Sequence, residues 1–184
     1  MMIWFPFLVA IASMLPQQVF LNDSTLCLYL EKVLAEAPND FEGFKGTASD
    51  SKGPFVGTFK LTARSDCKLY PRHEAEGAMV PPEYSCTIGE PVHFFDEARN
   101  IYDLSKEGLR ACLLGWVYEE GRRGGEMTGY ASWYFRGYMP GVSGARVTLR
   151  LNDLAGRRAA AAGKTVQEIS GPTVVVDISV TDSR

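Results

Sequence analysis

Three short stretches carry residue types that do chemistry elsewhere, and each fails on its surroundings. Gly141-Val142-Ser143-Gly144-Ala145 approaches the G-x-S-x-G elbow, in which a sharp strand-to-helix turn exposes a nucleophilic serine. The fifth position here is Ala145, and the residues that follow alternate like a strand where the elbow needs a helix. A triad through Ser143 would need His73 or His93, the two histidines of the chain, to reach it by tertiary folding, and nothing in the sequence points that way.

Gly163-Lys164-Thr165 matches the end of a phosphate-binding loop. The glycine required five positions earlier is Arg158, Gly156 lies too far back, and the preceding strand and following helix that would aim backbone N–H groups at phosphate are missing. His73-Glu74-Ala75-Glu76 offers ligand types in a proline-flanked loop, with no second cluster to complete a defined coordination geometry. Glu119 and Glu120 are adjacent, so a strand sends them to opposite faces rather than pairing them for acid–base work. No catalytic residue, metal site or cofactor is expected.

Cys27, Cys67, Cys86 and Cys112 form an even set with no C-x-x-C pair, which fits disulfides better than zinc. Disulfides persist in oxidising compartments. The residues before Cys27 lack the small side chains of a lipoprotein signal, so Cys27 reads as half of a bridge. The first residues agree with export: Met1 to Ala12 is an apolar run ending in small residues at A-x-A spacing, read as a signal peptide over 1–18 with cleavage after Ala12 or a little later. Its start carries no Lys or Arg. A buried first strand and an uncleaved anchor are the alternatives, and the run to Leu15 falls short of the about 20 apolar residues that span a bilayer. Asn22-Asp23-Ser24 fits an N-glycosylation triplet or, more simply, a helix cap.

The strongest compositional feature is aromatic. Trp116, Tyr118, Tyr130, Trp133, Tyr134, Phe135 and Tyr138 fall in one stretch with Arg122, Arg123 and Arg136. Tyr and Trp favour recognition surfaces because they join an apolar body to a polar tip, and arginine adds planar contacts to carboxylates or phosphates. Rings occur on both faces of the expected hairpin, so one face should pack under helices and the other be open to a partner. Trp116, Tyr118, Arg122, Arg123, Tyr130, Tyr134 and Arg136 are the candidate binding residues. Filling a two-sided core is the competing role for the rings.

The elements that position these residues follow from periodicity. Leu26, Cys27, Leu30, Val33 and Leu34 recur at helical spacing from about Asp23 to Ala37, where Pro38 stops the helix. His93 to Leu114 is a second helix, with Phe94, Ala98, Ile101, Tyr102, Leu109, Cys112 and Leu113 on its apolar side and Gly108 weakening it. Strands are expected over Phe55–Ala63, Asp66–Tyr70, Tyr84–Ile88, Trp116–Glu119, Gly129–Arg136, Ala145–Leu151 and Thr173–Val180. Asn39 to Pro54 reads as a loop with or without a short strand, the stretch holding Pro71, Pro81 and Pro82 as a loop, and Gly121 to Gly125 as a mobile turn. Asn152 to Gly171 reads as a connection with or without a short helix. Placing Cys27 and Cys112 on facing helix sides, and Cys67 opposite Cys86 on neighbouring strands, selects the pairing Cys27–Cys112 and Cys67–Cys86.

The order of elements implies an α+β fold, a mostly antiparallel sheet of about six to seven strands with two main helices packed on one face. At 184 residues and 46% hydrophobic content, residues 19–184 make a single domain with a real core. A formal charge of -3 lacks the basic excess that phosphate backbones need, so nucleic acid is not an expected partner. Neither is a membrane once the signal is removed. The chain therefore reads as a non-catalytic periplasmic or secreted protein that binds a protein or other macromolecule. A small-ligand or glycan binding module using the aromatic hairpin is the alternative, and a hydrolase the third reading.

Overall fold

The computed structural model describes residues 23–49, 53–89, 91–125, 130–139, 144–163, 165 and 174–182. The expected signal segment, Ser143 and Lys164 lie outside them, as does the side chain of Tyr130.

Helix α1, Asp23–Glu36, buries Leu26, Tyr29, Leu30 and Val33, spaced three or four apart so that they form one stripe. The chain leaves it through a short 3-10 turn, Ala37–Asn39, that accommodates Pro38. Asp40 and Phe41 then take positive φ angles of 53° and 59°. The left-handed backbone is unfavourable for a bulky residue, and two gains offset it here. The Phe41 N–H donates to the Glu36 carbonyl, capping the helix, and the ring is fully buried beside Tyr84, 5.9 Å between centroids.

Helix α2, Phe95–Cys112, buries Ala98, Tyr102, Ser105, Gly108 and Leu109. Among the described residues no helix is long and apolar enough to cross a membrane.

The strands are β1 (Lys45–Ala48), β2 (Phe55–Gly57), β3 (Cys67–Tyr70), β4 (His73–Ala75), β5 (Ala78–Val80), β6 (Glu83–Thr87), β7 (Val117–Gly125), β8 (Tyr130–Tyr138), β9 (Ala145–Asp153) and β10 (Val174–Asp182). Among the described residues, eight form one sheet in the order β1-β2-β3-β6-β10-β9-β8-β7, and β4 and β5 form a separate hairpin. Every neighbouring pair is antiparallel. After β6 the chain crosses through α2 to the far edge, and β7 to β10 walk back until β10 closes against β6.

Helices α1 and α2 cover one face of the sheet. Register aligns Phe135, Leu149, Ile178, Cys86 and Cys67 in one row of that face. All five are buried, the consequence of period-two alternation on strands with one core side. Tyr29 of α1 reaches this row, its hydroxyl donating to Cys86 Sγ at 3.2 Å, while Phe95 of α2 packs on Trp133 of β8. The mixed α+β class with antiparallel sheet and two main helices is as expected.

Both bridges join elements that face each other. Cys67 and Cys86 are directly opposed on β3 and β6 with Cα atoms 4.1 Å apart, and Cys27 of α1 bonds Cys112 at the end of α2. These are the pairs chosen from face and position, and they suit an oxidising compartment.

Several boundaries differ from expectation. The main sheet has eight strands rather than six or seven because the short strand allowed within Asn39 to Pro54 is present, Lys45–Ala48, and pairs with β2. The strand expected over Phe55–Ala63 ends at Gly57. The Pro-flanked loop holds the β4–β5 hairpin, turning at Glu76 and Gly77, both at positive φ. Between Asn152 and Gly171 the short-helix reading is the one observed, as α3, Ala155–Ala162.

The largest correction concerns Gly121 to Gly125, which is paired strand rather than turn: Gly121 opposes Tyr134, Arg122 opposes Trp133 and Arg123 opposes Ser132. Glycine weakens a strand by leaving nothing to pack. Here the Tyr134 ring lies across Gly121, where an added Cβ would come within 2.4 Å of the Tyr134 hydroxyl. The cross-strand ring thus supplies the contact that glycine lacks.

Gly57 is the tighter site. A Cβ there would lie 2.5 Å from Tyr84 Oη and 2.9 Å from Cys67 Cβ. Tyr84 is fully buried, and its hydroxyl donates to the Phe59 carbonyl. Neither neighbour can give way, so Gly57→Ala is expected to lose about 2 kcal/mol through overpacking. Urea denaturation would check this, and an unchanged midpoint would show that β2 shifts freely.

Candidate functional site

The β7–β8 register sorts the candidate residues onto two faces. On the helix face, Tyr118 stacks on Phe135, 4.7 Å between centroids, and its hydroxyl donates to the Leu109 and Leu113 carbonyls at the end of α2. Burial pushes its pKa up, with Arg110 working in the other direction. Tyr118 therefore caps a helix. Trp116 packs half-buried against the core, and Arg122 lies over Trp133 at 4.9 Å from the guanidinium carbon. These three residues belong to the helix side of the sheet.

Arg123, Tyr134 and Arg136 lie on the open face. Tyr134 is flanked by both guanidinium groups, Arg123 at 5.6 Å and Arg136 at 5.2 Å, a geometry in which the ring quadrupole attracts the cations. Arg136 also donates to Glu119 Oε1 at 2.7 Å across the strand pair. Tyr138 continues the same face and is 39% exposed.

Next to this aromatic half lies a depression that sequence reasoning missed. It measures about 340 Å³ and is lined by Tyr70, Glu83, Ser85, Arg150, Asn152 and Asp177. Register explains the assembly. Tyr70 of β3 opposes Glu83 of β6, Asp177 of β10 opposes Arg150 of β9, and all project away from the helices. Arg150 Nη1 donates to Glu83 Oε1 at 2.8 Å and to Asp177 Oδ1 at 3.4 Å, and Asn152 Nδ2 donates to Asp177 Oδ2.

Burial pushes the Asp177 carboxyl up to about 6, helped by Glu83 and opposed by Arg150 and Asn152. Burial works against the Arg150 charge, and the two carboxylates together overturn it, so the guanidinium is held more firmly than usual. The network is acceptor-rich with one locked cation, and Tyr70 beside it is 40% exposed. Such a floor can hold hydroxyl or amide groups. Ser179 is fully buried between Ser85 and Thr148 on the same face, and among the described residues its hydroxyl has no hydrogen-bond partner. A polar residue at 177 amid Val174, Val176, Ile178 and Val180 was the visible signal, but its partners depend on strand order.

The other stretches with chemical residue types are not brought to this face. His73, Glu74 and Glu76 are exposed around the β4–β5 hairpin, with His73 Nδ1 3.0 Å from the Pro71 carbonyl, and His93 is exposed before α2. Among the described residues no group of three or more His, Cys, Asp or Glu side chains is arranged to hold a metal ion. No family model matches the chain, and no significant match exists among curated proteins or solved structures, so its own residues carry the functional argument.

Proposed function

We propose that this is an exported, non-catalytic protein that binds a macromolecular partner through the open face of its sheet, with the periplasm or the extracellular space as its compartment. The observation that carries the reading is the composition of that face. Antiparallel sheets with one solvated side ordinarily line it with small polar and charged groups. This one places Tyr70, Tyr134 and Tyr138 there, with Arg136 and Arg146 near the latter two. Rings of this kind lose little conformational entropy on contact, and arginine recognises carboxylates with directional hydrogen bonds.

Both disulfides support the oxidising compartment. The depression favours a second reading, a small hydroxyl-rich ligand or glycan seated against Tyr70 over the Glu83, Asn152 and Asp177 acceptors.

Wild type and a Tyr138→Ala/Arg146→Ala variant, immobilised with disulfides intact, would be exposed to the native envelope or secreted fraction. The variant is expected to lose the proteins that wild type retains, with its melting temperature within a few degrees of wild type. Identical retention by both would remove the open face as the binding surface. A glycan panel that raises the melting temperature of wild type but not of Asn152→Ala would favour the second reading instead.

A further inference from the structure

The sheet ends on two unlike edges. β1 is four residues long with an irregular register, the kind of edge that resists further pairing. β7 is nine residues long and pairs without interruption with β8 on its inner side, while among the described residues nothing pairs with its outer side. It contains no Lys or Pro. Its charges are symmetric about Gly121: Glu119 and Glu120 precede it, Arg122 and Arg123 follow.

We propose that β7 pairs with β7 of a second copy, antiparallel and centred on Gly121, to make a twofold-symmetric dimer with a continuous sheet. In that register Glu120 lies opposite Arg122 of the second copy, and Glu119 opposite Arg123 of the second copy. Twofold symmetry repeats both, so four opposite-charge pairs form.

The choice of register is enforced. Residues opposed across an antiparallel pair share a face, so the allowed slips move the centre by one residue. Centring on Glu120 places that carboxylate against its own copy, and centring on Arg122 does the same for the guanidinium. Parallel pairing in register sets every charge against its like. Among the antiparallel centres within β7, Gly121 alone sets all four charged residues opposite a charge of the other sign.

The arginines are available for it. Arg122 and Arg123 are exposed and lie over Trp133 and Tyr134, and neither has a carboxylate partner among the described residues. Glu119 and Glu120 meet Arg136, Lys106 and Arg110 within the chain, yet their side chains remain 49% and 47% exposed. A carboxylate has acceptor sites for a second cation. The same twofold axis keeps both helix layers on one side and doubles the open face. This inference does not depend on the partner reading, because it uses the edge of the sheet and not its face.

An edge of nine residues buries little area, which places the dimer in the weak, dissociable class. Sedimentation velocity of the disulfide-bonded protein over about 1 μM to 1 mM is expected to show a monomer–dimer equilibrium that shifts toward monomer in high salt. Arg122→Glu/Arg123→Glu, which makes the edge uniformly acidic, is expected to weaken association at least about tenfold. Mixing it with Glu119→Arg/Glu120→Arg is expected to restore a heterodimer.

Because the second variant also removes ion pairs to α2 and Arg136, hydrogen exchange on wild type provides an independent measurement. Amides of β7 should gain protection as concentration rises. A monomer at every concentration, a dimer indifferent to Arg122→Glu/Arg123→Glu, or protection appearing only outside β7 would each overturn the proposal.

Discussion

Replacing Cys27 and Cys112 together by alanine is expected to destabilise the protein by about 4.5 kcal/mol, the chain-entropy value for so long a loop. The two positions are separated by 85 residues, against 19 for Cys67 and Cys86, where the same reasoning gives about 3 kcal/mol. Loss of the crosslink frees α1 from α2 in the unfolded chain, so the guanidinium midpoint should fall while the m-value rises. In the native state α1 remains held by Leu26, Leu30 and Val33 and by Tyr29 against Cys86. The variant should therefore fold, with less margin. A loss below about 1 kcal/mol would place the stabilisation in the native contacts of α1 rather than in the crosslink.

Arg150→Met is expected to destabilise by about 3 kcal/mol at neutral pH, because it leaves two partly desolvated carboxylates without their cation. Arg150 bridges Glu83 and Asp177, and the three side chains are 29%, 25% and 16% exposed. The loss should shrink toward pH 4. Asp177 has a folded pKa near 6, raised above its unfolded value of about 3.9, so between these values the folded state binds the extra proton. For such a group, stability is highest below the unfolded pKa and declines as pH rises through the folded one.

At pH 4 Asp177 is neutral and needs no cation; at pH 7 it is charged and does. Thermal melts of wild type and Arg150→Met across this window would check it. A difference that stays constant with pH would show that Arg150 acts through its packing rather than through Asp177.

The two main helices and most strands were readable because each leaves a local pattern. Leu26, Leu30 and Val33 repeat with the turn of a helix, and Val147, Leu149 and Leu151 with the pleat of a strand. The β7–β8 hairpin was readable in part: its aromatics were located, but Gly121 to Gly125 carry the composition of a turn. What makes them strand is Tyr134 lying over Gly121 from the neighbouring chain segment. That contact spans the hairpin and leaves no mark on either residue alone. The positive φ angles at Asp40 and Phe41 were equally hidden, since burial of the Phe41 ring against Tyr84 offsets an unfavourable local backbone.

By itself the sequence determined which side of each element faces inward, and through that the cysteine pairing, since two sulfurs on facing sides can meet. Tertiary structure alone decided strand order. By returning β10 between β6 and β9, it brings residues 83, 150 and 177 into one network and leaves β7 as the long edge. The reason is physical: alternation is set residue by residue by backbone geometry, whereas the identity of a strand's neighbour depends on loop closure and on burial summed over the whole core.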